Sequence, residues 1–209
     1  MSTTSFLLSA ALVVGGCSLI GCGNGQDRRA ETVTSSAAVA TNVMTAKVDL
    51  DGVVGELKNL RDASDSADLK KMHAGLKERS AQLNKGVDHV IASSDDTVAT
   101  GRAQQMTWHQ QADTFTDANL RTSSQKREGN LRTAVDELGA ANAALKGERD
   151  SFVSLLNQTV TALDLDLSQQ GVQGIHPTLA KLVDNEPKFR DALTAVSDKV
   201  KAVSSALNP

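Results

Sequence analysis

Two cysteines are the residues whose surroundings could support covalent chemistry. Cys22 closes the stretch Leu19, Ile20, Gly21, Cys22, and Cys17 closes a poorer version of it, Val14, Gly15, Gly16, Cys17. Both end an uncharged, largely apolar run that begins at Phe6. A run this short matches a leader core of about 7 to 15 residues and falls short of the roughly 18 to 20 needed to span a bilayer. Small side chains before the thiol suit a peptidase that cuts beside a narrow residue, followed by acylation of the sulfur. Cys22, with Leu three positions before it and Gly immediately before it, is the preferred lipidation site, and Cys17 is the alternative.

This pattern reads as a bacterial lipobox, and cysteine usage agrees with it. Cleavage before Cys22 discards Cys17, and acylation blocks the one remaining thiol, which leaves nothing to oxidise in a periplasm. A disulfide between Cys17 and Cys22 is a third reading. Residues 1–5 carry no Lys or Arg, which departs from the positively charged start of an ordinary export signal. The expectation is a signal peptide over residues 1–21, a flexible tether over 22–35 rich in small, polar and charged residues, and a lipid anchor in the membrane. Gly23 follows the cysteine. By resemblance to lipoproteins of bacteria with two membranes, in which Asp at that place goes with retention at the inner one, this points to the outer membrane and a periplasmic location.

The other chemistry-bearing residues are dispersed. His73, His89, His109 and His176 show none of the short paired spacings of a zinc site. Asp95 with Asp96, and Asp164 with Asp166, lie outside any Gly-containing calcium loop and read as helix caps or solvated faces. The serines at 93, 94, 123, 124, 204 and 205 lack the glycine flanks of a nucleophile elbow. No cofactor, metal or catalytic group is expected from these patterns. A formal net charge of −3, with basic residues in pairs such as Lys70 and Lys71, speaks against a nucleic-acid partner.

The elements that position these residues read as helices. No proline precedes Pro177, and the chain holds four Phe, one Trp and no Tyr. Long runs without proline suit uninterrupted helices, and few aromatics suit slender ones meeting through Leu, Val and Ala. Val39, Val43, Leu50, Val53 or Val54, Leu57 and Leu60 recur at three, four and seven spacing, weakened in the middle by Gly52 and Gly55, and predict a first helix over residues 36–63. Leu69, Met72, Leu76, Leu83, Val87 and Val90, with polar Ser80 at one seam site, predict a second over 69–92, ended by the polar cluster at 93–97. Met106, Ala112, Phe115, Leu120, Leu131, Val135, Leu138 and Leu145 predict a third over 98–146, about 70 Å if continuous. Gly147 then serves as a C-cap, and a fourth carries Phe152, Leu156, Leu163 and Leu167. Gly171, Gly174 and Pro177 predict a loop over 169–178. Phe189, Leu193, Val196, Val200, Val203 and Leu207 mark a last helix with Pro187 near its first turn. No strand pattern is present, so the fold class is all-α: an elongated antiparallel helical bundle or coiled coil, one domain over 36–209.

Trp108, then Phe115, Ala118, Asn119, Leu120, Arg121 and Ser124, followed by a long Leu-seamed helix and the segment Leu165, Asp166, Leu167, Ser168, resembles the bacterial domain-of-unknown-function family twenty-nine fifty-nine. The likeness covers residues 100–207, and the interval from Trp108 to Arg121 is its most specific part. Members of that family are helical, coiled-coil-rich lipoproteins without assigned chemistry, so the likeness implies a fold and a location. The chain departs from the family in lacking an aromatic near Val135 and a Pro before Leu155 and Leu156. It also carries Leu163, Asp164, Leu165, Asp166, Leu167 where the family has a basic stretch with His and Asn.

Trp108 and Arg121 are the contact candidates. A lone indole either plugs the core or marks a contact surface, and Arg121 is placed to pair with an Asp of a neighbouring helix. Three functional classes follow: a non-catalytic envelope protein that contacts another protein or a copy of itself, a carrier holding an apolar ligand between helices, and an enzyme whose pocket polar residues assemble only in the fold.

Overall fold

The computed structural model describes residues 25–63 and 68–208. They form four helices, α1 (Gly25–Arg61), α2 (Leu69–Ala112), α3 (Ala118–Leu165) and α4 (Gln169–Leu207), with no strand among the described residues. The chain is an all-α helical bundle, and the 48 residues of α3 give it a long axis of about 70 Å. Among the described residues, no helix is long and apolar enough to cross a membrane.

Each helix runs antiparallel to the next. Ser35 of α1 meets Thr100 of α2 at 3.4 Å, and Asn42 donates to Ser93 at 3.1 Å. Arg149 of α3 reaches Asp88 of α2 at 2.8 Å, and Lys77 reaches Asp164 at 3.0 Å. Lys199 of α4 pairs with Glu137 of α3 at 2.9 Å, and Lys47 of α1 donates to Thr194 of α4 at 2.8 Å. Arg190 of α4 closes the ring onto Asp51 of α1 while also holding Glu186; the Asp51 hydrogen bond, then that of Glu186, raises the guanidinium pKa above its ordinary value. The diagonal helices α2 and α4 barely meet. The result is an up-down-up-down four-helix bundle.

Its core is made of most of the stripes read at three and four spacing; Met106 and Leu120, expected on the third seam, are instead 63% and 57% exposed, because that segment folds back at residues 113–117. Val39, Val43, Leu50, Leu57 and Leu60 on α1, Leu76, Leu83, Val87 and Val90 on α2, Leu131, Leu138, Leu145 and Leu156 on α3, and Leu193, Val196, Val203 and Leu207 on α4 are all buried. Phe152 and Phe189 stack with ring centroids 5.1 Å apart and planes 12° from parallel, a pair worth about 0.5–1.5 kcal/mol beyond its buried area.

Several boundaries differ from the expectation, each for a local reason. The tether expected over 22–35 is helical from Gly25 onward, because Thr32, Ser35 and Ser36 are small enough to bury against α2 and bring that turn into the bundle. The polar cluster at 93–97 does not break α2. Ser93 and Ser94 donate to the carbonyls of His89 and Val90, and Thr97 to that of Ser93, so their hydroxyls are satisfied within the helix. Gly147 lies inside α3, where the continuous seam from Leu145 to Phe152 outweighs a glycine cost of about 1 kcal/mol. The long third segment folds back at residues 113–117, where Asp117 accepts from the backbone N–H groups of Asn119 and Leu120 and starts α3. The loop expected over 169–178 is the first part of α4. Pro177 and Pro187 sit on its exposed face and leave the buried stripe uninterrupted.

The turn between α3 and α4 is therefore only three residues, and it is tight. Ser168 accepts from the Gly171 N–H at 3.1 Å, and Asp166 accepts from the Ser168 N–H at 3.0 Å. Ser168, through its side chain and then its backbone, holds the Asp166 carboxyl below its usual range; this contribution is present above the ordinary carboxylate pKa and is lost as pH falls through the lowered one. A Cβ on Gly171 would stand 2.3 Å from the Asp166 carbonyl oxygen, whereas one on Gly129 would meet nothing within 4 Å. Gly171→Ala is expected to destabilise the bundle by about 1–3 kcal/mol through that clash. Gly129→Ala is expected to stabilise it by about 0.5–1 kcal/mol through helix propensity. Urea denaturation of the two variants checks the opposite signs, and equal shifts would contradict the tight turn.

Candidate functional site

The residues that carry the most specific sequence pattern come together at one end of the bundle, the apex where α2 turns into α3. Trp108 lies one turn before the end of α2, half-buried and packed against the end of the core. The Arg127 guanidinium of α3 sits over its ring, 5.0 Å from the centroid, a cation–π contact of roughly 0.5–1 kcal/mol at a site this open. Gln111, Phe115 and Ser124 complete a small recess of about 150 Å³ beside the indole.

Arg121 does not pair with an Asp of a neighbouring helix. Its Nε and Nη2 both donate to the Phe115 carbonyl, at 3.1 and 2.5 Å. The guanidinium of the first turn of α3 thus closes the 113–117 turn onto itself, because that carbonyl points back at α3 and lies nearer than any carboxylate. On the other flank, His109 Nδ1 lies 3.1 Å from Glu128 Oε2, and Gln105 donates to Glu128 Oε1 at 3.4 Å. Those residues with Met106, Gln110 and Arg132 line a shallow recess of about 290 Å³.

The other candidate residues stay dispersed along the bundle. His73 is buried 3.3 Å from Asp164, at the opposite end of the bundle, where Lys77 also binds that carboxylate. Asp95 accepts from Asn142 at 2.8 Å and from Lys146. Among the described residues, no group of three or more His, Cys, Asp or Glu side chains is placed to hold a metal ion. Cys17 and Cys22 lie outside the described residues, with Cys22 three positions ahead of the start of α1.

Sequence reasoning missed a polar layer below the apex. Thr32, Ser36, Thr97 and Gln104 are buried there, and Gln104, 0% exposed, has no protein partner for either amide atom. Gly101 allows the close approach, since a Cβ on it would fall 2.6 Å from Val135 Cγ2. The signal was the replacement of Leu and Val by Thr, Gly and Gln at seam positions of α2 after residue 94. On the outer face of α1 and α2, Asp27, Ala30, Glu31, Thr34, Asp96 and Thr100 line an open groove of about 950 Å³.

Compared with protein-family models, with curated proteins and with solved structures, the chain matches none.

Arg121→Ala removes both hydrogen bonds to the Phe115 carbonyl, at a cost of about 1 kcal/mol of local stability. Amide hydrogen exchange over residues 113–120 is expected to rise roughly fivefold, with little change over the mid-bundle helices. Unchanged exchange at the apex would show that the guanidinium does not hold the turn.

Proposed function

We propose that this chain is a lipid-anchored bacterial envelope protein, non-catalytic, held to a membrane from the periplasmic side, at the outer membrane, by an acylated Cys22. The observation that carries the reading is the Leu19, Ile20, Gly21, Cys22 stretch, closing an uncharged apolar run and lying three residues ahead of α1. Two or more acyl chains on that cysteine anchor stably, whereas one chain at about 0.8 kcal/mol per buried methylene binds reversibly. The likeness of residues 100–207 to the domain-of-unknown-function family twenty-nine fifty-nine supports the same reading. Its most specific part, the interval from Trp108 to Arg121, lies in the apex. On this reading the bundle is a rod that meets another protein or a second copy of itself.

Metabolic labelling with a clickable fatty acid tests the anchor. The wild-type chain is expected to carry label and to sediment with membranes, and Cys22→Ser is expected to lose both. Label that survives in Cys22→Ser moves the modification to Cys17, and absence of label in the wild type removes the anchor altogether.

A further inference from the structure

Three features of the apex bear on what it touches. Among the described residues it projects beyond the other helix ends, it carries uncovered apolar side chains, and it lies at the end where α1 begins.

The projection follows from the register. Lys199 of α4 pairs with Glu137 of α3, and Phe189 stacks on Phe152, so the end of α4 at Leu207 stands level with α3 residues between about 129 and 134. The first turns of α3, before residue 129, therefore run past α4, and none of residues 118–130 is buried. The same counting locates the chain entry. Ser35 meets Thr100, ten residues back from Ser35 is Gly25, and ten on from Thr100 is Gln110. At 1.5 Å per residue the 113–117 turn reaches about 5–10 Å past the start of α1. Three residues from Gly25 to Cys22 span at most about 10 Å. Chain length alone therefore keeps the cysteine within about 10 Å of the start of α1, the end of the bundle that carries the turn.

The side chains there suit a lipid interface. Leu120 is 57% exposed and Met106 63%, and Phe115 sits partly buried in the turn itself. Leu120 continues the α3 seam back from Leu131 through Ser124 at seven and four spacing, at a level where α4 is no longer present to cover it. Arg121, Lys126 and Arg127 are balanced by Asp113, Asp117 and Glu128, so the apex carries no net charge to demand anionic headgroups.

We propose that the α2–α3 apex is a membrane-contact surface, seating Leu120 and Phe115 in the interface of a phospholipid bilayer beside the anchored end of α1. The inference rests on the anchor reading at Cys22. Lipid anchor and apex then give two points of contact, which set the long axis of the rod upright on the membrane, with the α3 to α4 turn and its exposed Leu165 at the far end. A second copy of the chain or a protein partner seated on the apex is the competing outcome.

The test supplies the anchor chemically, so that its result does not depend on natural acylation. The chain from Cys22 onward, which holds all four described helices, is coupled through that thiol to a maleimide phospholipid in phosphatidylcholine vesicles with brominated acyl chains. Trp108→Phe combined with Leu120→Trp places a single indole at the apex, and Trp108→Phe combined with Leu165→Trp places it at the opposite end. Leu120 and Leu165 are exposed, so both substitutions leave the core intact; should Trp108→Phe loosen the fold, the same pair with Trp108 retained reads out as a difference between the two. The apex indole is expected to lose roughly half its emission relative to unbrominated vesicles, as burial in the headgroup and acyl boundary requires, and the far one to lose none. Addition of anionic lipid is expected to change neither. Equal quenching at both ends, or none at position 120, overturns the proposal, as does protection of the position 120 indole only through self-association in the absence of vesicles. Mass spectrometry of the natural N-terminal peptide separately decides acylation, so that failure of the anchor and failure of the apex contact are told apart.

Discussion

The whole bundle depends on one constraint: each helix must remove a single apolar stripe from water, and four stripes do so only by facing one axis. A buried Leu or Val contributes about 1.5–3 kcal/mol, set against a conformational entropy of similar total size. The ion pairs between helices, such as Lys199 with Glu137, are half-exposed and contribute about 0–1 kcal/mol each. Burial therefore supplies the stability, and the pairs select the register at which the stripes meet. The same arithmetic explains why α2 runs through Ser93 to Thr97 and α3 through Gly147. A local preference of about 1 kcal/mol loses to a seam whose interruption would expose several large side chains.

The stripe changes character along the axis. Toward the α3 to α4 turn it is built from Leu50, Leu57, Leu76, Leu83 and the Phe152 and Phe189 stack; toward the apex it becomes Thr32, Ser36, Thr97, Gly101 and Gln104. Small polar side chains bring the helices close but bury little area. Past that layer the α2 to α3 hairpin is held by polar ties, namely Arg127 over Trp108, Arg121 on the Phe115 carbonyl, and Glu128 between His109 and Gln105. Apolar groups released from core duty there, Leu120 and Met106 among them, face outward. An apex held by polar contacts and fringed by apolar ones suits an amphipathic boundary, the environment that the proposed anchor at Cys22 would create beside it.

Much of the fold was legible in the residues. The positions on α1 from Val39 to Leu60 and on α4 from Phe189 to Leu207 are buried as their spacing implied, because a 3.6-residue period places them on one face whatever they meet. Boundaries were less legible. A Ser and Asp cluster has the same composition whether its hydroxyls cap a helix or bond back one turn, and Pro177 reads as a breaker unless its exposed position on α4 is known. The break at residues 113–117 was hidden for the converse reason: Met106, Ala112, Phe115 and Leu120 kept an approximate spacing across a turn that only Asp117 signalled. At the apex, the sequence marked Trp108 and Arg121 as residues to watch, yet their partners, Arg127 and the Phe115 carbonyl, could not be read from it.

The sequence by itself determined that the chain is helical and which side is buried over most of each helix. These follow from local period and local composition, which each segment carries alone. Only the tertiary structure decided which helix neighbours which, that α4 stops short of the α2 to α3 turn, and that this turn lies at the end where α1 begins. Such facts are set by pairing between residues far apart in the chain, and the register of that pairing is a property of complementary surfaces that no single helix contains.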